Sequence, residues 1–173
     1  VALSVFPAFA AKFPRKLLYS VATGLVLAGY VIFFFAPNTT MIYIGIAGVL
    51  LFVGQAFIQV LMLLFLTDSV EYGEWKLGKR NDSVTFSLQP FINKMGGAIA
   101  SGVVGAIVII SGMQEAQSAA DMTASGLLIL KMAMMVFPLV CIVVGFLIYR
   151  AKYILDEAMF NKIVEELNER NSK

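Results

Sequence analysis

The chain predicts an all-α membrane bundle. Three observations carry that expectation: 60% of the 173 residues are hydrophobic against 14% charged, the charges fall in short clusters, and the apolar runs between clusters are long enough for membrane helices. A soluble domain of this length could not bury so much apolar surface.

Taken in order, residues 1–11 read as the end of a partial span, followed by the basic turn Lys12-Phe13-Pro14-Arg15-Lys16. Four complete spans follow, at about 17–36, 40–67, 83–112 and 124–149, of which the first two carry no charge at all. The third carries only Lys94 and the fourth only Lys131. Pro37-Asn38 ends the first span, Asn81-Asp82-Ser83 offers N-caps for the third, and Gly112 ends it. Residues 1–150 therefore form one transmembrane bundle and 151–173 a tail. The chain opens on Val1 without an initiator Met or a basic leader, and the expectation is a piece of a longer protein.

The connections alternate in charge. Lys12, Arg15 and Lys16 are followed by an uncharged turn, then by Lys76, Lys79 and Arg80, then by a loop with only Glu115 and Asp121, then by a basic tail. The positive-inside rule places the basic loops and the C-terminus in the cytoplasm of a cell inner (plasma) membrane protein that crosses several times. In the tail, Ile154, Ala158, Ile163 and Leu167 alternate with acids and Lys162 as in an amphipathic helix. It reads as a solvated helix under the bundle or as a docking element.

Composition also excludes function classes. Net charge is only +2, with no basic stripe to track a phosphate backbone, so nucleic acid is no partner. There is no histidine, and the single cysteine, Cys141, lies within an apolar run. Zinc sites, Cys-His nucleophiles and disulfides are thereby excluded, no metal site is expected, and no clustered catalytic set suggests an enzyme.

Lys94 is the most informative residue. It lies eleven positions beyond Ser83, which at 1.5 Å per residue is about 16 Å deep in a core about 30 Å thick. An ammonium there costs about 3 kcal/mol or more unless it faces a wet cavity or a carboxylate. A functional site or a structural ion pair would each satisfy it. Lys131, about five residues inside its span, can snorkel. On the Lys94 helix, Gly97, Ala98, Ser101 and Gly105 recur at helical spacing and admit a neighbouring helix. Gln89, Pro90 and Asn93 gather polar groups where the proline removes a backbone bond, as in the interrupted helices that line transporter sites. Gln55 and Gln59 lie one turn apart on the preceding span, as an interhelical hydrogen bond or as cavity lining. Gly45, Gly48 and Gly54 on that span read as close-packing positions.

The segment Asp68 to Asp82 holds four acids and three bases in fifteen residues. Asp68, Glu71 and Glu74 would form a stripe if the helix continues past Thr67, at a C-terminus where the dipole disfavours anions. A cation should pair with them: Arg80 in the same loop, or a basic loop of a further half of the protein acting as an inside gate. A merely solvated loop is the remaining reading.

Asp68-x-x-Glu-Tyr-Gly-Glu-Trp-Lys-x-Gly-x-Arg80, then Gln89 and Lys94-Met-Gly-Gly-Ala-Ile, closely resembles the glycoside-pentoside-hexuronide cation symporters, the melibiose-permease-like branch of the major facilitator superfamily. Tyr153-Ile-Leu-Asp-Glu and Ile163-Val-Glu-Glu-Leu-Asn-Glu-Arg170 resemble that family's tail. The resemblance covers essentially the whole chain, as the end of helix eight through helix twelve. It implies two six-helix bundles with sugar bound between them, coupled to sodium or protons by alternating access. It further implies that Gln89 and Lys94 match a helix-eleven glutamine and lysine of the sugar-cation region. The threonine after that glutamine is Pro90 here, and a helix-ten tryptophan position is Gln59. The cation ligands belong to the family's first bundle, so the coupling ion is expected without ligands in this chain, and no other cofactor is expected.

The expected partners are a sugar or glycoside, the coupling cation, an N-terminal half and the lipid bilayer. Lys94, Gln89, Asn93, Gln59 and Gln55 would line the sugar site, Asp68, Glu71, Glu74 and Arg80 the cytoplasmic gate, and Gly97, Ser101 and Gly105 a packing face. The alternative is a small membrane interaction or assembly subunit with no transport activity, whose loop and tail dock a soluble partner.

Overall fold

The computed structural model describes residues 12–36, 41–116, 118 and 121–171. The partial span at 1–11 and the turn at 37–40 lie outside the described residues. Among the described residues six α-helices follow one another: α1 (Arg15–Phe35), α2 (Met41–Leu77), α3 (Asp82–Ile110), α4 (Ala124–Lys131), α5 (Phe137–Lys152) and α6 (Glu157–Asn171), with a π-helical turn, Met132–Val136, joining α4 to α5. No strand occurs among the described residues. Among the described residues, four stretches are long and apolar enough to cross a membrane: α1, α2, α3 and the run from Ala124 to Lys152. The packing divides into two compact units, residues 1–87 with 145–173, and residues 88–144.

In the first unit, α1 starts after Pro14, whose carbonyl accepts from the Leu18 N–H at 3.0 Å. It ends at Ala36, extended (φ −59°, ψ 126°) because a residue ahead of a proline is disfavoured in the helical region. Ala22, Thr23, Val26 and Gly29 of α1 are buried, as are Ala47, Gly54 and Leu61 of α2. Small residues let the two backbones approach. A Cβ on Gly54 would stand 2.7 Å from the Ala22 carbonyl oxygen, and one on Gly29 3.0 Å from that of Ala47. The buried Thr23 hydroxyl donates to the Tyr19 carbonyl at 2.8 Å, so no polar group is stranded at this contact. Gly45 and Gly48 do not share in it, with no described atom within 4 Å of a Cβ at either.

The expected span at 40–67 is only part of α2, whose 37 residues reach about 55 Å. Nothing between Thr67 and Leu77 breaks a helix, and the Asp68–Glu74 stripe is therefore helical rather than a loop. Gly78, at φ 69°, ends α2 in the left-handed conformation, its N–H donating to the Glu74 carbonyl at 2.8 Å. The loop shrinks to residues 78–81.

The tail returns to α2. Asp156 caps α6, its Oδ1 accepting from the Met159 N–H at 2.8 Å. Ile163 and Leu167 are buried, whereas Ile154 and Ala158, expected on the same apolar face, are exposed. The chain is non-helical from 153 to 156, and that break shifts the phase of the tail.

In the second unit, α3 closes at Gly112, φ 73°, as expected, and Thr123 caps α4 by accepting from the Gly126 N–H at 3.1 Å. Gly126 is needed there because a Cβ would collide with the Ser111 carbonyl. Pro138 has no N–H for the Met134 carbonyl, and the helix widens just before it, with the Phe137 N–H donating to the Met132 carbonyl.

Candidate functional site

Two sets of polar residues remain once the apolar contacts are accounted for. The first gathers at the end of the α1–α2 pair where α1 begins. Asp68 is 3% exposed although it carries a carboxylate. The Arg15 guanidinium pairs with its Oδ2, and the Tyr153 hydroxyl donates to the same oxygen at 3.3 Å. A buried charge is tolerated when it is paired and hydrogen-bonded in this way. Arg15 is itself held twice more: its backbone N–H donates to Glu157 Oε1 at 3.1 Å, and its guanidinium lies 4.6 Å from the Phe160 ring centre. Burial, then the neighbouring Asp68 charge, push the Tyr153 phenol above its ordinary value. Tyr153 therefore stays a donor toward the carboxylate.

Further along the stripe, Glu71 Oε2 is buried with no hydrogen-bond partner among the described residues. Arg80 pairs with Glu74 at 3.0 Å and with Asp82 at 2.7 Å. Hydrogen bonding to Asp82 is the main cause of the rise in the Arg80 pKa. With 52% of its side chain exposed, Arg80 is a weaker tie than Arg15. Trp75 Nε1–H donates to Glu166 Oε2 at 2.6 Å, fastening α6 to the end of α2.

Both cation partners thus come from this chain. Arg80 was one expected source. Arg15, Tyr153, Trp75, Glu157 and Glu166 were not singled out as site residues, since Arg15 and Asp68 are 53 positions apart. The signal that could have found Arg15 is its place next to Lys16 in the basic turn bordering the apolar run of α1, on the side to which an antiparallel α2 returns.

The second set is the expected sugar-facing one. Gln55 and Gln59 lie on α2 in the first unit, exposed and without hydrogen-bond partners among the described residues. Gln89, Asn93 and Lys94 lie on α3 in the second unit, with Gln89 half-buried and the other two exposed. No residue of α3 is buried, and Pro90 stands inside the helix. Lys94 has no ion pair among the described residues. Ser101 donates to the Gly97 carbonyl at 2.9 Å, and nothing among the described residues packs on Gly97 or Gly105. The described residues contain no group of three or more His, Cys, Asp or Glu able to hold a metal ion.

Long apolar helices, with a charged cluster where α1 begins and α2 ends, mark a multi-pass membrane protein. The family model described as MFS/sugar transport protein matches residues 1–157, and the chain belongs to that family. It is 37% identical over 167 residues to the raffinose carrier protein of Pediococcus pentosaceus, covering 96% of this chain and 26% of that protein. It is 33% identical over 162 residues to the lactose permease of Lactobacillus helveticus, covering 94% of this chain and 25% of that protein. The lactose permease of Leuconostoc lactis is also 33% identical, over 164 residues, 94% of this chain and 25% of the relative. These relatives are carriers and permeases, not enzymes, and they bear out the resemblance to the glycoside-pentoside-hexuronide family. The chain spans about a quarter of the length of these curated relatives.

Proposed function

We propose that this chain forms part of the second bundle of a secondary active transporter in the cell inner membrane, one that carries a sugar or glycoside together with sodium or a proton, with the C-terminus in the cytoplasm. The relatives' names point to raffinose and lactose, and a glycoside of that kind is the proposed substrate class.

Lys94 is the observation that carries the reading. It stands twelve residues into α3, about 18 Å from the helix start and so near the middle of a core about 30 Å thick. A charge at that depth with no ion pair among the described residues calls for a wet cavity or a carboxylate in another part of the protein. Gln55, Gln59, Gln89 and Asn93 supply amide donors and acceptors suited to sugar hydroxyls. Cation binding beside a carboxylate paired to Lys94 would alter that pairing and with it the affinity for sugar, and sugar would alter cation affinity by the same factor. Asp68 with Arg15 and Tyr153, and Glu74 with Arg80, form the proposed cytoplasmic gate, whose ion pairs break and remake as the bundles rock.

The experiment is uptake of radiolabelled sugar by cells or vesicles holding the complete transporter with Lys94→Gln. Coupled uptake should fall at least tenfold while the protein still reaches the membrane. Full uptake with unchanged cation dependence removes Lys94 from the site.

A further inference from the structure

We propose that the start of α1 and the end of α5 form a binding site for the phosphate headgroup of an anionic phospholipid. A cavity of about 380 Å³ opens here in the first unit, lined among others by Lys16 and Leu17 of α1, Phe146, Tyr149 and Arg150 of α5, and Tyr153 just beyond it. Its floor is aromatic: the Tyr149 and Tyr153 rings stack at 4.9 Å, and Tyr19 stacks on Phe146 at 6.1 Å and contacts Tyr149 at 4.2 Å. Lys16 Nζ stands 6.0 Å from the Tyr153 ring centre. No carboxylate lines the cavity, and neither Lys16 nor Arg150 has an ion pair among the described residues. Of the acids that share the adjacent cavity with Lys16, Asp68 and Glu157 are engaged by Arg15, and Asp156 accepts from the Met159 N–H at the start of α6. The Tyr149 hydroxyl is buried without a hydrogen-bond partner among the described residues, leaving a donor unused beside the cavity.

Depth selects a lipid. α1 is uncharged from Leu17 onward, and α5 is uncharged as far as Tyr149. Lys16 and Arg150 are thus the first charges at the same end of two helices able to cross a membrane, which is the headgroup level where Tyr also gathers. Leu17, Leu147 and Ile148 are exposed on the apolar side of those charges, where acyl chains would lie. The first turn of α1 adds its positive dipole end to the two cations. Basic pockets between spans are a recurrent setting for anionic headgroups.

The test uses the complete transporter, delipidated in detergent and titrated with phosphatidylglycerol or phosphatidylcholine of matched chains, with bound lipid counted by native mass spectrometry. One phosphatidylglycerol should be retained saturably in preference to phosphatidylcholine. K16Q/R150Q should lower its affinity about thirty-fold, and each single change about fivefold, while K16R/R150K keeps it. Should the neutral double variant fail to fold, the single changes read the same contrast. Equal retention of the two lipids, affinity unchanged by K16Q and R150Q, no saturable binding because an acidic protein segment covers the site, or equally tight binding of glycerol 1-phosphate would each overturn the proposal.

Discussion

The Arg15 guanidinium rests on the Asp68 carboxylate, tying the first turn of α1 to the far third of α2. The same arginine touches Glu157 and Phe160, so one residue joins three helices. Exposure is lopsided, with 26% of the Arg15 side chain open against 4% of that of Asp68. Removing the arginine strands a buried anion, whereas removing the anion leaves a cation that water can reach.

Arg15→Gln should therefore cost about 2 to 3 kcal/mol in the complete protein, below the full cost of breaking a buried pair because Arg15 is partly solvated. Asp68→Asn, which keeps an acceptor for Tyr153 and removes the charge, should cost about 1 kcal/mol. Thermal unfolding in detergent orders the two. The reverse order would mean that Asp68 is not the buried partner.

Packing of α1 on α2 makes a second prediction. A methyl at Gly54 meets the Ala22 carbonyl and Val26 Cγ2, each at 2.7 Å, so Gly54→Ala should destabilise by about 1 to 3 kcal/mol through overpacking. Gly45→Ala and Gly48→Ala meet no described atom within 4 Å and should be neutral or stabilising by less than about 1 kcal/mol. Melting temperatures of the three variants in one detergent check the contrast. Equal losses at all three positions would contradict the helix pairing.

The membrane-length helices were legible because each is marked by an apolar run, interrupted at most by Lys94 or Lys131 and bounded by Pro37, Gly112 or a charged cluster. The length of α2 was not, since the uncharged run stops at Thr67 while the backbone meets no breaker until Gly78. Spacing foretold the Asp68–Glu74 stripe and a partner for it within the same chain in Arg80. The burial of Asp68 by Arg15 and Tyr153 escaped, because it depends on how α1, α2 and the tail meet. The three glycines of α2 look alike in sequence, yet only Gly54 faces Ala22, and nothing in local composition ranks them. In the tail the periodicity chose Ile163 and Leu167 correctly, then failed at Ile154 and Ala158, which sit before or at the start of α6. For the residues proposed to face the sugar, sequence supplied depth and chemistry: Lys94 at mid-span and glutamines one turn apart. Among the described residues, no ion pair to Lys94 shows what faces them.

Detachment of the tail gives a third prediction. Ile163 is 2% exposed and Leu167 7%, against 67% for Ile154. Ile163→Ala should weaken the α6–α2 contact by about 2 to 4 kcal/mol, and Ile154→Ala by less than about 0.5 kcal/mol. Limited trypsin digestion of inside-out vesicles reads this as faster cleavage beyond Lys152 in the first variant only. Slow cleavage of Ile163→Ala would show that the Trp75–Glu166 hydrogen bond and the Arg15 contacts hold α6 without its apolar face.

The Tyr153–Asp68 hydrogen bond makes stability fall at high pH. The folded-state pKa of Tyr153 lies above the ordinary phenol value of about 10 because burial, and then the Asp68 charge, oppose a phenolate. In the unfolded chain that phenol loses its proton near pH 10, so above this the folded state holds more protons than the unfolded one. Stability from Tyr153 is therefore fully present below about pH 10 and is lost as pH rises toward the folded-state pKa. Tyr153→Phe should lose about 1 kcal/mol at neutral pH with the hydrogen bond, and should lack this part of the alkaline decline. Lysines also titrate in that range, so the informative quantity is the difference in heat-inactivation rate between Tyr153→Phe and the parent protein at pH 8 and at about pH 11. The gap should narrow or reverse at the higher pH. A gap that stays constant would place the Tyr153 phenol in solvent, away from Asp68.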